Sequence, residues 1–194
     1  MITGCTIDCG DDNIAVKPKD ARKPGNKNCT ITKCSFLHGH GMSIGSGTNG
    51  GIEDLTVRDC TFDSTDSGIR IKTLRGRGGL LQNLTYENLT MTRVKNPIHI
   101  IDYYPEREAP QDPAIEQPRE VTERTPINKS ITIRHVTATG CTQRRHNSWS
   151  ARGADWRRDT NRFQDFDEDR NEDLLRQRHS LRRFEDRGRT GQTR

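Results

Sequence analysis

One pair of apolar residues returns four times along this chain, as Ile14/Val16, Met42/Ile44, Ile69/Ile71 and Ile98/Ile100. The intervals are 28, 27 and 29 residues. Shortly before each pair lies a second alternating segment: Cys5-Thr6-Ile7, Cys34-Ser35-Phe36, Cys60-Thr61-Phe62 and Leu89-Thr90-Met91. Three of the units add Cys29-Thr30-Ile31-Thr32, Leu55-Thr56-Val57-Arg58 or Leu84-Thr85-Tyr86-Glu87, and Ile131-Thr132-Ile133 with Val136-Thr137-Ala138 opens a fifth. Alternation with β-branched enrichment predicts short strands, and the Gly, Asn, Asp and Ser between them predict turns. No amphipathic helix interrupts the series.

A coil of such strands cannot bury its inner face alone, and stacking of successive coils makes a continuous core. The expected fold is therefore all-β, a right-handed single-stranded parallel β-helix. A leucine-rich repeat has a similar period but needs an L-x-x-L-x-L-x-x-N pattern that is absent. A propeller needs four strands in a longer repeat.

Composition divides the chain. Up to Thr142 there are 18 basic and 17 acidic residues, whereas 143–194 hold 14 Arg, no Lys and 10 acidic residues. The later segment also lacks Ile, Val and Met and contains both Trp. The next apolar pair should fall near 145 and 147, where Arg145 and Asn147 stand. The expected organisation is a partial β-helix over 1–142, with a Pro-rich loop inserted at 103–127, and an Arg-rich disordered tail over 143–194. Translation out of frame after about Thr142 would account for the tail; a native Arg/Asp-rich tail is the rival. Nearly all of the net charge of +5 sits there, so the folded part offers no basic face for nucleic acid. No run approaches a membrane span, and Met1-Ile2-Thr3-Gly4-Cys5 does not read as a secretory signal.

Cys5, Cys34 and Cys60 share one repeat position with Leu89, which predicts an internal stack of small apolar side chains. Disulfides through Cys29 or Cys141 are an alternative, with unreadable connectivity. The spacings C-x3-C and C-x4-C disfavour zinc. The N-x-[ST] matches at Asn28, Asn83, Asn88 and Asn128 are attributed to the strand–turn pattern rather than to glycosylation.

Three polar motifs flank the recurring pair: Gly10-Asp11-Asp12, Gly39-His40-Gly41 and Arg70-Ile71-Lys72. Alternation turns Arg70 and Lys72 outward beside inward Ile69 and Ile71. Asp12 and His40 both sit two residues before their pair, in the turn entering the strand. With coils ~4.7–4.9 Å apart, the three motifs converge on one face. An Asp pair, a lone His or a strand Arg-x-Lys is each ordinary by itself; their coincidence at one repeat phase points to a site. Paired carboxylates suit glycosidic hydrolysis: one, kept protonated by its like-charged neighbour, donates to the leaving oxygen, and the other activates water. Cations beside them suit a sugar carboxylate.

The stretches 10–17 (GDDNIAVK), 39–46 (GHGMSIGS) and 68–73 (GIRIKT) resemble glycoside hydrolase family 28, the polygalacturonases and related pectin hydrolases. With the intervening coils the resemblance covers about residues 1–142. It implies the pectin-lyase-like β-helix and an inverting glycosidase acting on α-1,4-linked galacturonan or a related pectic polysaccharide. Asp11 would match the general acid, Asp12 a carboxylate that positions water, and His40 the imidazole supporting the acid. Arg70 and Lys72 would grip the galacturonate carboxylate, and Tyr104, or its neighbour Tyr103, would line a subsite. It implies no metal, no cofactor, a monomer, and an extracellular or periplasmic home. The family also has an Asn-Thr-Asp motif upstream of the Asp pair that is absent here, so impaired hydrolysis is expected. The alternatives are a non-catalytic β-helix that binds acidic polysaccharide, a purely structural β-helix, and a pectate-lyase-like enzyme; the last would need a calcium site of several carboxylates.

Overall fold

A computed structural model describes residues 1–105 and 121–142 with their side chains, and 146–148 and 162–168 by backbone. The first coil contributes β1 (Ile2–Thr3), β2 (Thr6–Asp8) and β3 (Ile14–Val16), and the second β4 (Asn26–Thr32), β5 (Ser35–Leu37) and β6 (Met42–Ile44). The following coils contribute β7 (Ile52–Asp63) and β8 (Ser67–Lys72), then β9 (Leu80–Thr92) and β10 (Asn96–Ile101), then β11 (Ile127–Thr139) and β12 (His146–Ser148). A further strand, β13 (Arg162–Glu168), follows. The larger sheet runs β1-β4-β7-β9-β11-β13, with β2 beside β5 and β5 beside β7; the smaller runs β3-β6-β8-β10-β12. The strand pairs are parallel throughout, as in a β-helix.

The predicted repeat is the stacking register. Ile14 pairs with Met42, Met42 with Ile69 and Ile69 with Ile98, while Val16, Ile44, Ile71 and Ile100 form the neighbouring column. Phe36, Phe62, Met91 and Ala138 make another, with the Phe36 and Phe62 rings 4.7 Å apart. These side chains are buried wherever a coil lies on both sides. Burying each large apolar side chain contributes about 1.5–3 kcal/mol, so the columns supply the fold's main driving force.

Cys34 and Cys60 are buried as an inner stack, and burial pushes the Cys60 thiol up to about 11. Cys5, at the open end of the stack, is instead exposed. No disulfide joins two cysteines among the described residues.

The long strands β7, β9 and β11 turn corners. Their pairing register skips Asp54 and Asp59, then Asn83 and Asn88, then Ser130 and His135. Each skipped residue has a left-handed backbone, with φ between 51° and 57°. The extra residue resets the alternation, so inward Val57 is followed by inward Cys60, three positions on. Left-handed φ is least costly for Asn and Asp among residues bearing a side chain. Asn83 Nδ2 donates to Asp54 Oδ1 at 2.9 Å, and Asn88 Nδ2 to Asp59 Oδ1 at 3.1 Å, tying corner to corner. The N-x-[ST] positions at Asn28, Asn83 and Asn88 are thus corner residues, and Asn128 is buried.

The start of the Pro-rich loop is tied to the end of β8: Leu74 bridges to Tyr103, and Tyr104 N donates to Thr73 O at 3.1 Å. Its far end rests on the turn after β8, where Gly76 N donates to Arg124 O at 3.0 Å. Residues 106–120 lie outside the described residues. Past Thr142 the chain was expected to leave the coils. The backbone of β12 nevertheless pairs with β10, setting Asn147 opposite Ile100 at the position the repeat predicts. Likewise β13 pairs with β11, with Phe163 in register with Ile133 and Phe166 with Val136. Parallel ladders are made by backbone donors and acceptors, which a polar segment also has. The rest of 143–194, for which disorder and a shifted frame were expected, lies outside the described residues.

Candidate active site

The smaller sheet forms the floor of a cleft of about 490 Å³. Asp11, Asp12, His40, Arg70, Lys72 and Tyr104 all line it, although they come from four different coils. The turns entering the strands are stacked by backbone bonds: His40 N donates to Asp11 O at 2.8 Å, and Asp66 N to Gly39 O at 2.8 Å. Buried Asn13 joins the first two turns. Its Nδ2 donates to Ile7 O and Leu37 O at 3.1 and 3.3 Å, and its Oδ1 accepts from Gly41 N at 2.8 Å. Gly41 has φ of 74°, and a Cβ there would run into the Ser67 carbonyl of the next coil. The Gly-His-Gly sequence is what lets His40 stand between its neighbours.

Asp12 is the electrostatic centre, with its side chain only 4% exposed. Its Oδ1 accepts from Ser43 Oγ at 2.6 Å, Lys72 Nζ at 3.1 Å and Arg70 Nη1 at 3.3 Å. Its Oδ2 accepts from Lys72 Nζ and Lys17 Nζ, both at 3.0 Å. Burial alone would raise the Asp12 pKa. The bonds from Ser43, Lys72 and Lys17 outweigh it and hold the carboxylate down at about 2. Burial and the adjacent Arg70 charge lower the Lys72 pKa, opposed by Asp12.

Asp11 lies at the surface, its side chain 84% exposed. Its Oδ1 accepts from Asp12 N at 2.6 Å and faces His40 Nδ1 at 3.2 Å. The like charge of Asp12 was expected to keep one carboxyl protonated. Instead the Asp12 N–H outweighs that repulsion, and the Asp11 pKa is lowered. In the open cleft both carboxyl groups are carboxylates at neutral pH.

His40 lies between acids. Its Nε2 faces Asp66 Oδ2 at 3.4 Å, opposite the Asp11 contact. Tyr104 lies beside the cations, its ring centroid 5.2 Å from Lys72 Nζ and 5.8 Å from Arg70 Cζ, within cation–π range. Tyr103, the competing tyrosine, is buried.

Sequence reasoning did not single out Lys17, Ser43, Asn13 or Asp66 as site residues. Two had a legible signal: Ser43 is one coil from Arg70 in the outward column, and Asp66 shares the repeat phase of Asp11. Asp11, Asp12 and His40 each bring one ligand atom within 4.8 Å of the others. A divalent cation there would have to compete with three cations already on Asp12, which disfavours a metal role. The arrangement can hold an anionic sugar against Arg70, Lys72 and Tyr104, and it offers a carboxylate–imidazole pair for proton transfer.

The family model for Glycosyl hydrolases family 28 matches residues 1–149. Similar curated proteins include a polygalacturonase of Ralstonia solanacearum, 39% identical over 50% of this chain and 19% of the relative. An endo-polygalacturonase of Pectobacterium carotovorum subsp. carotovorum is 37% identical over 58% of this chain and 27% of its own length. An exopolygalacturonase of Platanus acerifolia is 38% identical, with 53% and 27% covered. The chain thus spans about a fifth to a quarter of the length of these relatives. No solved structure gives a significant match.

Proposed function

The chain belongs to glycosyl hydrolases family 28, and from that premise we propose that its cleft serves inverting hydrolysis of α-1,4-galacturonosyl bonds in pectin. The observation that carries this reading is the meeting of Asp11, Asp12 and His40 with Arg70 and Lys72 in one cleft. The uronate carboxylate takes Arg70 and Lys72, which in the open cleft are on Asp12. That exchange frees lone pairs of Asp12 to align a water molecule and accept its proton. Asp11 donates a proton to the leaving glycosidic oxygen while the water oxygen bonds to the anomeric carbon from the opposite face. Displacement from one face gives inversion. Asp11 must regain a proton first. Cover by the sugar and the substrate's own negative charge both raise a carboxyl pKa, so binding prepares the acid. His40 holds Asp11 in place, and Tyr104 packs against the bound sugar.

In the open cleft Asp12 is occupied by three cations and Asp11 is ionised, so hydrolysis depends on bound substrate changing both. The same two observations favour a second reading, a non-catalytic module that binds acidic polysaccharide. We place the parent protein outside the cell or in the periplasm, acting as a monomer on pectic polysaccharide.

Reducing-end release from polygalacturonate, measured beside binding, tests these readings. Slow release that Asp11→Asn lowers by tenfold or more supports hydrolysis. Equal binding without release by both proteins favours the silent module. A new unsaturated-uronate absorbance overturns hydrolysis in favour of elimination.

A further inference from the structure

The cleft holds more positive charge than its carboxylates require. Lys17, Arg70 and Lys72 are on Asp12, whereas Lys19 and Arg77 line the same cleft with no acidic partner among the described residues. Asp20, adjacent to Lys19 in sequence, is committed to Arg22 at 3.0 Å. Both surplus cations lie past the ends of their strands: Lys19 follows β3 and Arg77 follows β8.

These turns are stapled across coils. The segment between them, 45–50, reaches both. Gly50 N donates to Pro18 O at 2.8 Å, and Thr48 N donates to Arg77 O at 2.8 Å. Fully buried Thr48 adds its hydroxyl to the same Arg77 carbonyl at 3.3 Å. The Lys19 stem lies close over Gly47, where a Cβ would come within 2.8 Å of Lys19 Cγ. The backbones carrying Lys19 and Arg77 are therefore fixed relative to one another, while both charged ends remain exposed.

We propose that Lys19 and Arg77 form a second anion subsite, which takes the carboxylate of a uronate neighbouring the one held by Arg70 and Lys72. This rests on the pectic reading above and deepens it by naming the two residues that read a second carboxylate. Guanidinium and ammonium groups recognise a carboxylate by charge and hydrogen bonding, and a methyl ester offers neither a negative charge nor the same acceptor strength.

The test uses the full 194-residue chain at low salt, with galacturonic acid, trigalacturonate and fully methyl-esterified trigalacturonate as calorimetric probes. Lys19→Gln and Arg77→Gln are each expected to weaken trigalacturonate about twofold to fivefold, the usual range for exposed ion pairs. Galacturonic acid and the esterified trimer should bind each variant as they bind the original chain. If the double variant retains full affinity for trigalacturonate while Arg70→Gln weakens it, the second subsite is overturned and the pectic reading stands. If the folded original chain binds no galacturonate at all, the pectic reading falls and the subsite with it.

Discussion

Asp12 shows how a carboxylate can be buried without being neutralised: three cations and a hydroxyl surround two oxygens. A consequence for stability follows from linkage. The folded-state pKa of about 2 lies below the ordinary carboxylate value of 3.8, so the native state holds this proton less tightly than the unfolded chain. The stabilisation is therefore fully present above pH 4 or so and is lost as pH falls through about 2, an effect on the order of 2 kcal/mol. Urea titrations between pH 2 and pH 6 should show that loss in the original chain, and Asp12→Asn should remove this component of the slope. An unchanged slope in the variant would mean that another carboxylate carries it. At this scale the five residues expected from the repeat phase all line the cleft, and so does Tyr104, expected from the family resemblance. Lys17 escaped notice because a cation on an outward strand position looks solvated until its partner is known. Asn13 did so because a short polar residue beside two acids looks like part of a turn. Its three hydrogen bonds depend on which backbone groups adjacent coils leave open, and one coil's sequence does not contain that information.

Strand positions with strict alternation were legible, since inward and outward faces follow from period two. The corners were not. A left-handed residue between Val57 and Cys60 turns an alternating run into one with a gap of three, which reads as a break between separate strands. In space β7 continues through it. The corner columns make a specific demand on side-chain type. Asn88→Gly should be nearly neutral, because lost backbone strain offsets the lost bond to Asp59. Asn88→Val should cost roughly 1–2 kcal/mol more, since a β-branched residue resists positive φ. Melting both variants beside the original chain checks this ordering; equal destabilisation by Gly and Val would place the corner's contribution in the amide bond instead. The tail shows a different gap in legibility. Inward-facing hydrophobes are readable from sequence, but a backbone ladder needs none, and β12 and β13 add to the sheets from a segment poor in aliphatic residues.

The molecule as a whole is nearly one-dimensional, because each coil touches the next and few others. Protection should therefore vary along the stack. Strands β7 and β9 have long partners on both sides, whereas β1 to β3 are two or three residues long with one neighbour each. Native-state hydrogen exchange should find the amides of 52–63 and 80–92 slowest and those of 2–16 fastest. Uniform protection would instead indicate a single cooperative unit.

Because every coil delivers a different ingredient to the cleft, the pocket works as a proofreader of its own assembly. The first coil brings Asp11 and Asp12, the second His40, the third Arg70 and Lys72, and the link beyond the fourth Tyr104. A chain that slips register by one coil loses not a fraction of its chemistry but one whole reagent. Sugar binding is thus a readout of whether the stack has been built in the right order.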